Sequence, residues 1–565
     1  MANLKNLPIS IEDFKELIDG NYYFVDKTLL IRDLIAKQKK VCLITRPRRF
    51  GKTLNMSMIQ RFFEMTDQNN SNAYLFNGLK ISECGEEIMR HQGQYPVITI
   101  SLKSMKQDTY EDAFASFRSI ISKEFNRHAD VLKAGTLSPS NRRAFEDIYY
   151  ERVEKKSAFN TSIELLSNCI YEATGKKSII LIDEYDVPLE NSYFCQFYDE
   201  MVSLIRSVFE SALKSNPNMA FAVLTGCLRV SKESIFTGLN NLFVYSVTKN
   251  LFSEYFGFTQ QEVENIAEYY GISDRVAELK EWYDGYQFGE TEIYNPWSIL
   301  GYVDSVISGE QISCIPYWIN TSSNSIIHEL VIKSNSSTKK KIEALIHGGS
   351  VKEPIYEDSV YANLDVNKDA IWSFLLFTGY LKLVKSELRD ENVFAEMVIP
   401  NREVLSIYKR TIKEWFNESV KEDSEPKLLT ALLKEDPLEV QNVINYWLKK
   451  CISYYDTLEN FYHGFLAGLL VGSESYDVKS NRENGDGRTD LTVCEYQTRS
   501  LAIIIEVKPA TEFRFLEKMC DEALAQIRNN RYDEQMTVDC YQRVVRFGIA
   551  FYDKSCMVKM DADPV

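Results

Sequence analysis

The residues best placed for chemistry begin with a strand-like run, Val41–Thr45 (VCLIT). It leads through Arg46-Pro47-Arg48-Arg49-Phe50 to Gly51-Lys52-Thr53 and then into apolar positions at helical spacing up to Glu64. A loop between a strand and a helix N-terminus offers unpaired N–H groups and the positive end of a helix dipole, which suits a phosphate. There Gly51 lets the backbone approach the phosphates, Lys52 reaches the β- and γ-oxygens of a nucleotide, and Thr53 holds Mg²⁺. The match to G-x-x-x-x-G-K-[ST] lacks its first glycine, whose place Arg46 takes. Two later strand ends complete the set. Ser178–Ile182 delivers Asp183 and Glu184, one acid to hold Mg²⁺ through water and the next to orient an attacking water. Ala220–Thr225 ends at Thr225, with Arg229 just beyond, where polar groups could sense a γ-phosphate.

A second constellation lies near the C-terminus. Asp490 opens the strand Leu491–Tyr496, and Leu501–Ile505 runs into Glu506-Val507-Lys508. Two carboxylates and a lysine one hairpin apart are what metal-dependent phosphodiester cleavage uses: oxygen ligands for Mg²⁺, and a cation to activate water or steady developing charge. Glu506 and Lys508 share a strand face because side chains repeat every two residues. Asp490 joins that face only if the register sets it opposite 506 or 508, which an odd-length loop around Gln497–Arg499 provides and an even one does not. A separation beyond about 8 Å, against metal–ligand lengths of about 2–2.6 Å, would favour a protein that does not cut. Glu459, at the head of ENFYHGFLAGLL, could complete a metal shell, and Gln526 and Tyr532 follow downstream.

Other chemistry is poorly supported. The aromatic clusters Trp282-Tyr283-Asp284-Gly285-Tyr286 and Tyr294-Asn295-Pro296-Trp297 could stack bases, but read better as packing at a domain junction. The five histidines, at 91, 128, 328, 347 and 463, have no metal-ligand spacing, and the 11 cysteines contain no CxxC pair. Reduced thiols are expected, rather than a zinc site or a disulfide framework.

The elements that must hold these residues follow from the pattern along 565 residues, too many for one small module. Pro96–Leu102 (PVITISL) is a further buried-strand run like Val41–Thr45, Ser178–Ile182 and Ala220–Thr225, and helical patterns separate them, as in a doubly wound α/β domain. A long, mostly polar helical insert spans about Asp108 to Glu172. Beyond it come short helices, then Ala370–Val384 and Val393–Ile399, which read as a helical bundle ending in a two-stranded, winged-helix-like element. The expected division is 1–290, a P-loop NTPase domain with a parallel sheet; 291–405, a helical middle domain; 406–450, a helical connector; and 451–565, a small α/β domain. The fold class is therefore α/β multidomain.

The formal charge is −16, which excludes coating of nucleic acid or anionic membrane through bulk electrostatics. Residues 31–60 run the other way. Arg32, Lys37, Lys39, Lys40, Arg46, Arg48, Arg49 and Lys52 against Asp33 leave +7, hence −23 for the rest of the chain. The three lysines read as a solvated face. The three arginines lie between an apolar strand and a glycine, so one or more of them, Arg49 included, is expected to meet phosphate or a neighbouring subunit. No apolar run approaches the roughly 20 residues that cross a bilayer, and the first residues lack a signal-peptide pattern, so a cytoplasmic location is expected.

The residues also carry a resemblance. LPISIEDFKELIDGNYYFVDKTLLIRDL and ITRPRRFGKTLNMSMIQRFF within Leu7–Glu64 resemble the bacterial AAA-ATPase-like family that pairs a P-loop domain with a C-terminal PD-(D/E)XK nuclease-like domain. So do LIDEYDVPL at 181–189, LTGCLRVSKESIFTGLNNL at 224–242, WYDGYQFG at 282–289, IYNPWSIL at 293–300, FTGYLKL at 377–383 and IPNREV at 399–404. ENFYHGFLAGLL, GRTDL, IIEVK, ALAQI and FGIAFYDKSC are similar to the nuclease-like half. The family writes its loop RPRRFGKT, so Arg46 departs from the general P-loop but not from this one. The resemblance implies an ATP-binding domain with Lys52 and Thr53 at the phosphates and Mg²⁺, and Asp183 and Glu184 as the acidic pair. It implies a restriction-endonuclease-like core with Asp490 as first acid, Glu506 and Lys508 as E-x-K, Glu459 as helix acid and Gln526 as accessory polar residue.

The expected function is ATP binding and hydrolysis coupled to a Mg²⁺-dependent nuclease, with DNA ahead of RNA as partner, no membrane, and room for a homo-oligomer. The alternative is an NTP-dependent switch whose nuclease-like domain binds DNA or a partner without cutting.

Overall fold

The computed structural model describes residues 4–66, 71–228, 235–236, 241–309, 314–318, 336–357, 369–389, 392–411, 427–451, 462, 466, 469–470, 476–484, 487–495, 499–532, 536, 541–552 and 555–562. The chain forms two compact units, Met1–Ser334 with Ala344–Tyr408, and Asn335–Glu343 with Lys409–Val565.

The first unit is built on five parallel strands: β1 (Val41–Thr45), β2 (Val97–Ser101), β3 (Ser178–Asp183), β4 (Met219–Gly226) and β5 (Leu242–Tyr245), in the order β2-β3-β4-β1-β5. Every residue of β1 and β3 is buried, which is why both read as unbroken apolar runs. β5 was not expected. It is a short, partly exposed edge strand of four residues, without the fully buried apolar run that marks β1 and β3. The order sets β4 between β1 and β3, so the loops leaving the C-terminal ends of β1 and β3 flank the end of β4. The polar insert consists of helices Tyr110–Arg127, Pro139–Tyr149, Lys156–Asn160 and Ser162–Thr174.

The same unit continues through a hairpin, β6 (Tyr286–Phe288) with β7 (Thr291–Ile293), and the helix Pro296–Ile307. Helix Ala370–Phe377 follows, with an antiparallel sheet of β8 (Val351–Ile355), β9 (Lys382–Arg389) and β10 (Asn392–Val398) in the order β8-β10-β9. The wing thus has three strands where the sequence suggested two. Pro354 interrupts the strand pattern of VKEPI, but β8 is an edge strand, where proline is tolerated. This region packs beneath the loop after β1: Phe50 lies edge-on to Tyr286 with ring centres 4.9 Å apart, and Trp318 lies 4.9 Å from Tyr380. Glu403 is fully buried; it accepts from the Ser298 hydroxyl at 2.8 Å and from the Trp318 N–H at 2.9 Å. Burial pushes its carboxyl up to about 7.

The second unit holds a mixed sheet of β11 (Tyr476–Asn484), β12 (Gly487–Glu495), β13 (Leu501–Pro509), β14 (Arg543–Tyr552) and β15 (Ser555–Ala562), hydrogen-bonded in that order, with only β13 and β14 parallel. Helix Leu516–Asn529 makes the crossover between β13 and β14, as a parallel pair requires. Side-chain alternation sorts β13. Ile503, Ile505 and Val507 pack with Val440, Ile444 and Leu448 of helix Pro437–Cys451 on one face. Ala502 and Ile504 pack with Leu524 and Ile527 of helix Leu516–Asn529 on the other. Glu506 therefore falls on the face that this second helix covers.

Candidate functional site

Each unit carries one of the constellations. In the first, Gly51 caps the helix Lys52–Phe63 with φ 78°, a left-handed turn that glycine adopts without a Cβ penalty, and no side chain caps that helix start. The first-turn N–H groups are thus oriented as an anion site.

Of the three loop arginines, one or more of which was expected to meet phosphate, Arg46 packs into the core. Its side chain is fully buried and turns inward: Nη1 donates to the carbonyls of Thr45 at 2.7 Å and Tyr245 at 2.8 Å. Its guanidinium lies 5.0 Å from the ring centre of Phe288. Burial brings its pKa down to about 9, and its Nε and Nη2 have no hydrogen-bond partner. Arg46 props the loop from below. Arg48 pairs with Glu190 at 2.7 Å, and the Arg49 guanidinium lies 4.4 Å from the centre of the Trp297 ring.

Lys52 is buried and curls under its own loop, donating to the carbonyls of Arg46 at 3.0 Å and Pro47 at 2.9 Å, with Cys227 Sγ at 3.6 Å. The Thr53 hydroxyl donates to Asp183 Oδ2 at 2.7 Å, the Thr225 hydroxyl donates to Asp183 Oδ1, and the Glu184 N–H also donates to Oδ1 at 3.0 Å. Glu184 has φ 53°; burial raises its carboxyl above the usual range, and Lys52 opposes that rise. Gly51, Lys52, Thr53, Glu184, Lys103 and Trp297 help line a cavity of about 580 Å³. The Thr53 and Thr225 hydroxyls and the Glu184 N–H therefore meet on Asp183. Arg229 lies outside the described residues.

Two residues here were not singled out from the sequence. Asp186 is buried, and its Oδ2 accepts from the backbone N–H groups of Cys227 at 2.7 Å and Leu228 at 2.9 Å, pinning the chain where it leaves β4. Its signal was the third acid in Asp183-Glu184-Tyr185-Asp186. Lys103, just past the end of β2 and paired with Glu12 at 2.7 Å, had no local signal, because only the sheet brings that end to the cavity.

In the second unit the hairpin register is Leu491↔Ile505, Thr492↔Ile504, Val493↔Ile503 and Cys494↔Ala502. Carried one step on, it sets Asp490 opposite Glu506, the alignment that an odd-length loop allows. Asp490 Oδ2 accepts from the Val507 N–H at 2.8 Å, and Lys508 Nζ lies 3.3 Å from Glu506 Oε1. Gln526 Nε2 donates to the same Oε1. Gly548 lies beside Glu506 on β14, and a Cβ there would stand 2.5 Å from the Cys520 carbonyl, so its bare backbone lets the helix bearing Gln526 come close.

Glu506 is 1% exposed, and its Oε2 has no hydrogen-bond partner. Burial first, then the nearby Asp490, pushes its carboxyl up to about 7. A buried carboxylate with an orphan oxygen beside a second carboxylate suits a divalent cation with oxygen ligands. Among the described residues no three His, Cys, Asp or Glu side chains converge; Glu459 and His463 lie outside them. The Tyr532 hydroxyl accepts from Asn530 Nδ2 at 2.8 Å, at the far end of the same helix.

Comparison with known proteins follows this division. Residues 8–236 match the family model described as "Predicted AAA-ATPase", and residues 457–561 match the one described as "PD-(D/E)XK nuclease superfamily". A relative from Azotobacter chroococcum mcd 1, described as "Uncharacterized protein in vnfD 5'region", is 26% identical over 404 residues, covering 71% of this chain and 68% of the relative.

Proposed function

We propose, from the premise that this chain joins an AAA-ATPase-like domain to a PD-(D/E)XK nuclease superfamily domain, that it binds and hydrolyses ATP and cleaves nucleic acid in a Mg²⁺-dependent reaction. The observation that carries the nuclease half is the orphaned, buried Oε2 of Glu506, whose Oε1 meets Lys508 and Gln526 and whose strand neighbour is Asp490. Asp490 and Glu506 would hold the metal, with Glu459 as the further ligand proposed. Lys508 would position the attacking water or steady charge on the phosphate. The nucleotide half is supported by Thr53 and Thr225 meeting on Asp183. Lys52 would leave the loop carbonyls for phosphate oxygens, and Thr53 with Asp183 would hold the second metal site. Glu184, biased toward accepting a proton, would orient the water; Thr225 and Arg229 would contact the γ-phosphate end, and Arg49 a phosphate. Bound Mg²⁺ would supply Lewis-acid charge at both sites.

The proposed substrate is DNA ahead of RNA, and the proposed location the cytoplasm. Residues 451–565 sum to −6, so binding of nucleic acid should be weak without metal and sensitive to salt. The alternative, a nucleotide-dependent switch that does not cut, draws support from only two carboxylates converging among the described residues. Among those residues no helix is long and apolar enough to cross a membrane.

The test is cleavage of single- and double-stranded DNA and RNA by the full chain, across Mg²⁺, Mn²⁺ and several nucleotide states. Wild type should cut, and Asp490→Ala and Lys508→Ala should not, while their ATPase activity persists. A wild type that cuts nothing under any of these conditions decides for the switch.

A further inference from the structure

Lys103 stands in the wall of the nucleotide cavity, apart from the phosphate loop. The parallel register sets Ser101 of β2 beside Asp183 of β3, and the Leu102 N–H donates to the Asp183 carbonyl at 3.0 Å. Lys103 comes next, so it leaves the sheet one strand away from the acid on which the Thr53 and Thr225 hydroxyls meet. Leu102 and Met105 are buried and anchor the chain on either side, while Lys103 itself is exposed. Its partner is placed as firmly. Lys103 Nζ lies 2.7 Å from Glu12 Oε1, and Glu12 lines the same cavity. The two residues after Glu12 dock on the helix that the phosphate loop opens. Asp13 pairs with Arg61 at 2.7 Å, and the Phe14 N–H donates to the Ser57 hydroxyl at 2.9 Å. The ion pair therefore ties the end of β2 to helix Lys52–Phe63 at the cavity wall. Such an exposed pair contributes little to stability. An ammonium has three donors, and its bond to Glu12 leaves protons for a ligand.

Charge identifies that ligand. Asp183, Glu184 and Asp186 follow one another at the end of β3, and a terminal phosphate set against them adds negative charge on the same side. Burial raises the Glu184 carboxyl, and the charges of Lys52 and Lys103 oppose that rise, which sets both ammonium groups within electrostatic reach of it. The strand order puts Lys52 on the β1 side of the acids and Lys103 on the β2 side. We infer that Lys103 is a terminal-phosphate contact: held by Glu12, it donates to the γ-phosphate of a nucleoside triphosphate from the side opposite Lys52. The inference rests on the nucleotide reading above and deepens it, because it names the residue that tells a triphosphate from a diphosphate. A nucleotide that ends at its β-phosphate gives Lys103 no partner beyond Glu12. Lys103 would touch the substrate, and Glu12 is a positioning residue.

The test measures, by calorimetry with Mg²⁺, the affinity of the full-length protein for ADP and for the β,γ-imido analogue of ATP, which is not hydrolysed. Lys103→Ala should bind ADP as wild type does, which also shows that the variant is folded. It should bind the triphosphate analogue about 10- to 100-fold more weakly, the loss of one hydrogen bond from a charged donor. Lys103→Arg keeps a cation at that place and should restore most of the affinity. Glu12→Gln should weaken the triphosphate alone, by about two- to fivefold, since the ammonium remains but loses its tether. Lys106→Ala removes another charge from the cavity wall and should leave the ratio of the two affinities within about twofold. An unchanged ratio in Lys103→Ala overturns the inference, as does an equal weakening of both nucleotides or an equal loss in Lys106→Ala; each leaves the nucleotide site standing. A wild type that binds neither nucleotide removes the nucleotide reading and the inference together.

Discussion

Replacing Glu403 by glutamine probes the junction that fixes the helix bearing Trp297. The carboxyl is fully buried, bonded to the Ser298 hydroxyl and the Trp318 N–H, and titrates at about 7 against an ordinary value of 4.5. Between those values the folded chain keeps a proton that the unfolded chain has lost. Stability should therefore fall as pH rises through roughly 5 to 7 and level off above. A rise of about two and a half pK units corresponds to roughly 3 kcal/mol, absent at pH 4 and fully incurred above pH 7.5. Glutamine has nearly the same shape, still accepts from the Trp318 N–H, and cannot ionise. With about 2.1 cal/mol/K of unfolding entropy per residue over the roughly 400 residues of the first unit, the penalty corresponds to about 4 °C. The assay is thermal unfolding of wild type and Glu403→Gln from pH 4 to 8, read as the difference between the two melting temperatures. That difference should move in the variant's favour by about 4 °C from pH 4 to 7.5. Glu506, which also titrates near 7, is present in both proteins and cancels. Two curves that stay parallel across the range would refute the account of Glu403 as a carboxyl whose hydrogen bonds do not offset its burial.

Lys52→Ala should abolish ATP binding in a calorimetric titration, whereas Glu184→Gln should bind ATP and lose hydrolysis; full turnover in that variant would place water orientation elsewhere. At Glu506 a metal must displace a proton below about pH 7, so the apparent Mg²⁺ affinity of the second unit should fall by up to about tenfold per pH unit below that point. A pH-independent affinity between 5 and 7 would exclude Glu506 as a ligand. Gly548→Ala should cost about 1–3 kcal/mol in denaturant unfolding, because the Cβ meets the Cys520 carbonyl at 2.5 Å, and should weaken cleavage by moving Gln526. An unchanged unfolding midpoint would mean that the helix yields freely.

Much of both sites was legible in the chain itself. Buried parallel strands are continuous apolar runs, so VCLIT and SIILI announced themselves, and the polar residues at their ends, Gly51-Lys52-Thr53 and Asp183-Glu184, had to emerge at one edge of the sheet. The E-x-K spacing likewise put Glu506 and Lys508 on one face without reference to any other strand. These are local facts, set by residue type and a period of two.

What lay beyond reach depended on distant partners. Charge alone did not say which of Arg46, Arg48 and Arg49 would meet phosphate, while the pocket of Thr45, Tyr245 and Phe288 that turns Arg46 inward is assembled from three separate stretches. The cluster of Trp282–Tyr286 and Tyr294–Trp297 read as packing; Tyr283, Tyr286 and Tyr294 are indeed buried, but Trp297 is only partly so and faces Arg49. The register of the hairpin decided whether Asp490 met Glu506, since a slip of one residue sends every side chain to the opposite face, and the alternating apolar residues of β13 settle it by packing against a helix on each side. Residue types thus determined which chemistries were available, and only the tertiary structure decided which charged groups face a cavity and which face the core, because the cost of burying a charge depends on neighbours that the chain brings together by folding.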